Sequence, residues 1–277
     1  MCRLFGFRSV LKSQVHRSLV AAENALAVQS RKHSDGWGVA YYVADAPHVI
    51  KSVMPANNDR IFERISGVVA SETVLAHLRK ATVGDINILN AHPFQFGRWV
   101  FAHNGEVRDF AQHKQTLRSH VSPALRCYIL GDTDSETLFY LFLTHLGQLT
   151  DLHRRGAKVE VVVEALKKTI DQVRECADRG DSEKERCLLT FVATDGHTLV
   201  GISSGKPLLY STHKTQCLDR DTCPFLAPEC EAPTESGKVN HLLVSSEELS
   251  GNNVWNHLEE DHWVGVDWAM NFQSGGI

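Results

Sequence analysis

The chain has 277 residues, with 29 Lys and Arg against 33 Asp and Glu and a formal net charge of -4. That balance, with no long basic block, excludes a cationic nucleic-acid surface, and no run approaches the ~18 apolar residues of a membrane span. Seven cysteines, an odd number spread along a chain long enough to bury a large core, fit a reducing, cytoplasmic setting better than a disulfide framework, and no signal-peptide pattern opens the sequence.

Residues 2–7 read as a buried strand, followed by a helical stretch at 18–28 with apolar residues at Leu19, Ala22, Leu26 and Ala27. Strands are expected at 38–42, 74–79 and 99–103, then helices at 135–146 and 159–176. The charged stretch 178–185 reads as an exposed connection. Strand-like runs follow at 187–194, 198–203, 207–210, 241–246 and 262–266, and the last residues, 273–277, read as a mobile tail. There is no internal repeat, and this alternation calls for two sheets packed between helices. Trp255, Trp263 and Trp268 read as core or interface residues.

Between the strands at 207–210 and 241–246, the segment 212–237 carries Cys217, Cys223, Cys230 and three prolines. With His213 the cysteines could be read as a zinc site, but the spacings lack the tight C-x2-C pairs of structural zinc. The preferred reading is a surface excursion near the mouth of a pocket.

The position of Cys2 is the strongest chemical signal. Once Met1 is removed, the free α-amine lies a few bonds from the thiol of the same residue. With reference pKa values of about 8 and about 8.5, proton transfer between them is easy. Such a residue carries nucleophile and base together, although position 2 also reads as a small residue opening a strand. Five segments follow in order: Ser34-Asp35-Gly36-Trp37-Gly38, His77-Leu78-Arg79-Lys80-Ala81-Thr82, Asn90-Ala91-His92-Pro93-Phe94, Phe101-Ala102-His103-Asn104-Gly105-Glu106, and Gly131-Asp132-Thr133-Asp134-Ser135-Glu136. Each is weak alone. Together, behind a penultimate cysteine, they resemble the glutaminase domain of the class II glutamine amidotransferases, a branch of the N-terminal nucleophile hydrolases.

That resemblance implies an α+β fold, a four-layer αββα sandwich, and attack by Cys2 on a γ-glutamyl amide. Attack creates an oxyanion, and a preorganised donor aimed at it is worth roughly 3 to 4 kcal/mol. Asn104 offers a side-chain NH2 and Gly105 a backbone N–H that a glycine lets approach closely; the same Asn-Gly pair also reads as a hairpin turn. Arg79 has the geometry to grip a substrate carboxylate through two parallel bonds, and otherwise reads as a surface salt bridge. The resemblance further implies that Thr82 lines the pocket and that Asp134 receives the substrate ammonium, although Asp134 also stands where a helix N-terminus wants an acid. His92 matches the family's histidine before proline, and a loop-ordering His-Pro turn explains it equally well.

Where the synthase members read Arg-Trp-Ala-Thr-His, this chain reads Arg79-Lys80-Ala81-Thr82-Val83, which puts ammonia channelling in doubt. A glutaminase domain of roughly 200 or more residues leaves no room for a second catalytic domain. Residues 2–277 therefore read as one domain, similar to the stand-alone YafJ-like and γ-glutamyl amidase members. The expected activity is metal-free, cofactor-independent hydrolysis of a small γ-glutamyl substrate. The alternatives are a glutaminase subunit serving a synthase or hydrolase partner, and a catalytically silent scaffold. A strand end at Val244-Ser245-Ser246-Glu247-Glu248-Leu249 resembles one in the stand-alone members, with Glu248 in place of a proline.

Overall fold

A computed structural model of the chain describes residues 2–14, 19–20, 25–180, 182, 185–218 and 220–277. In chain order its elements are β1 (Arg3–Gln14), α1 (Leu26–Gln29), β2 (Trp37–Val43), β3 (Ala46–Ser52), α2 (Arg60–Val68), β4 (Ala70–Leu78), β5 (Phe94–Phe96) and β6 (Trp99–Glu106). Then come α3 (Phe110–His120), α4 (Pro123–Arg126), α5 (Asp134–Leu149), α6 (Val159–Ala177), β7 (Leu188–Thr194), β8 (Leu199–Ser203), β9 (Leu208–Ser211), β10 (His241–Ser245), β11 (Asn256–Leu258), β12 (His262–Val266) and β13 (Phe272–Gly276). Met1 and part of the helical stretch expected at 18–28, residues 18 and 21–24, lie outside the described residues, as do 181, 183 and 184 of the expected connection.

The strands form a seven-stranded sheet in the order β11-β9-β10-β1-β4-β2-β3 and a six-stranded sheet in the order β13-β12-β8-β7-β6-β5. Period-2 alternation explains how they stack. Along β1, Leu4 packs into the apolar layer between the sheets with Val100, Ala102, Val192 and Val244. Phe5 and Phe7 face the opposite way, toward Leu26, Phe62 and Leu243. The outer face of the six-stranded sheet buries Phe101 and Phe191 against α5 and α6. The result is the α+β, four-layer αββα arrangement that the resemblance implies.

The helices follow from their sequences. Thr133 caps α5, its hydroxyl accepting from Glu136 N at 3.3 Å, with Asp134 and Glu136 in the first turn. Most of α5 is buried, and each fully covered Leu or Phe there contributes about 1.5–3 kcal/mol. Helix α6 buries Val159, Val162, Val163, Leu166, Ile170 and Val173, one stripe at helical spacing. Helix α3 was hidden because it buries only Phe110 and Leu117, seven residues apart. Strand β3 was hidden because it is an edge strand that pairs only with β2 and contains Pro47.

The tail is corrected by the structure. Residues 272–276 form β13, paired with β12 from Phe272 opposite Val266 to Gly276 opposite His262. Gln273 Nε2 also donates to Glu160 Oε1 at 2.8 Å. An edge strand is held by its backbone ladder and needs no apolar face, so composition did not reveal it. Trp268 is 67% exposed, which places it outside the core. All seven cysteines are free, and among the described residues no three His, Cys, Asp or Glu side chains gather as a metal site would require. Nor is any helix among them long and apolar enough to cross a membrane.

Candidate active site

Cys2 precedes Leu4 by two residues, so alternation turns its thiol toward the gap between the sheets. Pairing of Arg3 with Leu78 brings Cys2 beside the residues that follow β4. Lys80 N donates to Cys2 Sγ at 3.4 Å, and the thiol reaches Lys80 O at 3.5 Å. On β4, Leu75 faces the gap, and His77 and Arg79 continue its row. On β6, Val100 and Ala102 face the gap, and Asn104 continues theirs. Thiol, guanidinium and amide therefore face one interior space from two sheets. Burial pushes the Cys2 thiol pKa up, against a smaller lowering by the Lys80 backbone and Arg79, while Asp134 adds to the rise. A thiol so placed stays protonated until a base takes its proton.

Arg79 is buried rather than engaged in a surface salt bridge. Its Nη1 donates to Asp85 O at 2.9 Å, and its Nη2 to Val83 O at 3.0 Å and Gly84 O at 3.2 Å. Five N–H donors against three bonds leave donors for a ligand carboxylate. The loop it holds is fixed from beneath by Asp35, a residue whose part the sequence reading did not assign. Asp35 Oδ2 accepts from Ala81 N at 2.8 Å, and Asp35 N donates to Arg79 O at 3.1 Å. Gly36 follows at a φ of 120°, a conformation that glycine permits. An Asp-Gly step just before a strand was the available signal. Thr82 is exposed on this loop.

Asn104 and Gly105 lie within β6, opposite Thr190 and Leu189 of β7, so the hairpin-turn reading is overturned. Asn104 is 4% exposed and its Oδ1 is buried without a partner. At Gly105 a Cβ would overlap the Leu188 carbonyl oxygen, so only glycine lets the strands close. Gly105→Ala is expected to lower the thermal midpoint by several degrees, since clashes of this kind typically cost about 1–3 kcal/mol; an unchanged midpoint in a melting scan would contradict it.

Asp134 is the first residue of α5 and does more than mark a helix start. Its Oδ2 accepts from Val107 N at 2.8 Å and its Oδ1 from Ser135 N at 2.7 Å, tying the helix to the chain just past Gly105. His103 fastens the same corner: Nε2 lies 2.8 Å from Leu188 O and so carries the proton, and Nδ1 lies 2.9 Å from Ser135 Oγ. The strand end at 244–249 lies beside the residues that follow Cys2. Ser246 Oγ accepts from Leu4 N at 3.0 Å, and Glu247 pairs with Arg3.

His92 is buried and stacks on His77, ring centroids 4.1 Å apart, with Phe94 against its edge. Among the described residues none of the four ring nitrogens of His77 and His92 has a hydrogen bond of ordinary geometry. Burial lowers His77 to about 3, the facing His103 carbonyl opposing, and pushes His92 well below its ordinary value. Both rings are neutral at pH 7. Because the folded-state pKa lies below the unfolded 6.5, the unfolded chain takes up protons first as pH falls. Stability is thus complete above 6.5 and is lost as pH falls from 6.5 toward about 3. The urea midpoint should drop between pH 7 and pH 4, and His77→Phe should flatten that slope; equal slopes would remove His77 from the account.

The residues 1–268 match the family model for class II glutamine amidotransferases. The chain is 34% identical over 223 residues to "Probable glutamine amidotransferase DUG3" of Saccharomyces cerevisiae, covering 72% of this chain and 62% of the yeast protein, so it spans less than two thirds of that relative. It is 35% identical over 119 residues to the γ-glutamyl-hercynylcysteine sulfoxide hydrolase of Mycobacterium tuberculosis (strain CDC 1551 / Oshkosh), 39% of this chain and 50% of that one. Among solved structures, a glutamine aminotransferase class-II domain protein from Silicibacter pomeroyi superposes with a TM-score of 0.63 at 20% identity, covering 99% and 98% of the two chains, a likeness of fold. With its sandwich, its Cys2 facing the gap and its matched length, the chain belongs to the class II glutamine amidotransferases.

Proposed function

We propose that this protein hydrolyses the γ-glutamyl amide bond of glutamine or of another small γ-glutamyl compound through a thioester on Cys2, releasing glutamate. The observation that carries this reading is the convergence of Cys2, Arg79 and Asn104 on one interior gap, with Lys80 N donating to the thiol sulfur. The mycobacterial relative, named as a hydrolase of a γ-glutamyl compound, supports the same bond class.

The steps balance without a cofactor. With Met1 removed, the Cys2 α-amine takes the thiol proton and the sulfur attacks the γ-carbonyl. The oxyanion meets the Asn104 amide and the Gly105 N–H. As the C–N bond breaks, the α-ammonium returns its proton to the departing amine. Water, giving its proton to the α-amine, then attacks the thioester, and glutamate leaves as the thiol is restored. Arg79 takes the substrate α-carboxylate and Asp134 the α-ammonium. Two backbone N–H groups engage the Asp134 carboxylate, and its remaining lone pairs are available for the ligand. Thr82 borders the pocket from the loop, and His92 supports it from beneath.

The test is glutamate release by the Met1-processed protein from glutamine, glutathione and other γ-glutamyl amides, with Cys2→Ala as the blank. Cys2-dependent release from one bulky amide, well above glutamine, supports the hydrolase reading. Release from glutamine alone that rises with a synthase partner would replace it by ammonia supply. No release from any substrate by a chain whose intact mass shows Met1 removed would point to a silent scaffold.

A further inference from the structure

On the outer face of the seven-stranded sheet lies a cavity of about 640 Å3 that the proposed reaction does not use. Its floor includes Phe5, Phe7, Leu243 and Leu249, the row that alternation turns away from Cys2. Lys214, Cys217, Leu218, Cys223 and Phe225 wall it on one side with the 250–253 turn, and the end of β1 on another. Its volume falls within the range of small-molecule sites.

The polar groups along its walls are not a random sample. Lys12 and Lys214 both line it, and among the described residues neither makes an ion pair. No Asp or Glu is present among the described lining residues. His241, 8% exposed, faces the same side as Leu243, and its Nε2 has no hydrogen-bond partner. Asn253 Oδ1, also in the wall, is buried and unpartnered. An apolar floor beside two lysines that meet no acidic partner among the described residues describes a receptor for one chemistry, with His241 Nε2 and Asn253 Oδ1 closed off behind the lining.

We propose that this cavity binds a small amphipathic anion, its apolar body over Phe5, Phe7, Leu243 and Leu249 and its carboxylate or phosphate at Lys12 and Lys214. The site lies on the opposite face of β1 from the thiol, so it is independent of the γ-glutamyl reading.

The probe is 8-anilinonaphthalene-1-sulfonate, titrated by fluorescence into the full-length protein and into Cys2→Ala. One saturable site of equal affinity in both is expected, together with protection of Cys223 from iodoacetamide. Its uncharged counterpart, N-phenyl-1-naphthylamine, should bind about tenfold more weakly, the scale of a charge-assisted contact. The double variant Lys12→Gln/Lys214→Gln should lose that tenfold advantage for the anion, keep the affinity for the neutral probe and keep its circular dichroism. Displacement by octanoate or by octyl phosphate then identifies the preferred head group. Equal affinity for charged and neutral probes, no effect of the double variant, or unprotected Cys223 would each overturn the proposal.

Discussion

Cys2→Ala is expected to abolish γ-glutamyl hydrolysis, with a loss of roughly 10^4-fold or more, the scale seen when a covalent nucleophile is removed. The fold should survive. Cys2 is half-buried just before β1, its contacts through sulfur are two long ones to the Lys80 backbone, and the strand is held by β4 from Arg3 onward and by β10 from Phe5 onward. Alanine therefore removes the attacking atom and little else. The checks are glutamate release and the melting midpoint, measured together. Full activity in the variant would remove Cys2 from the reaction; a collapsed midpoint would make the residue structural. A chain that keeps Met1 should be as inactive as the variant, because an acylated amine cannot accept the thiol proton, and this comparison separates the base from the nucleophile.

Asn104→Ala should lower kcat by about 10^2 to 10^3 with KM nearly unchanged, because an oxyanion donor acts on the transition state far more than on the ground state. Asn104 is well suited to show this split. Its Oδ1 has no partner, so the side chain holds nothing else in place, and the strand continues past it through Gly105 to Glu106. A rise in KM at constant kcat would instead assign Asn104 to substrate binding. Steady-state kinetics with the best substrate of the panel decides between them.

Much of the fold was legible because its inner strands alternate cleanly and its long helices carry apolar stripes: the expected strand at 262–266 and the helix at 159–176 match the observed elements to within a residue. What escaped was held by other forces. Helix α2 buries only Phe62 and Ser66 and starts on an Asp59 cap, and β13 is held mainly by its backbone ladder to β12. In the site, single residues with an obvious chemistry could be read directly, as with Cys2 and Arg79. The part of Asp35 and the stacking of His92 on His77 could not, because their partners are backbone groups and one another, brought together only by strand register. The Asn-Gly pair was ambiguous for the opposite reason: a sequence cannot say whether a glycine is there to turn the chain or to let a neighbouring strand come close, and here the Leu188 carbonyl supplies the answer.

The candidate residues are divided between the two sheets, Cys2 and Arg79 with one, Asn104 and Gly105 in the other. Neither sheet alone owns a working half. Under the proposed reaction, glutamate release acts as a ruler for the spacing of the inner two layers, and a loosened state that keeps its strands and helices while its middle apolar layer swells would be silent. Conditions that relax that layer should extinguish the release while the far-ultraviolet spectrum still looks native, so that the proposed activity reports interior packing.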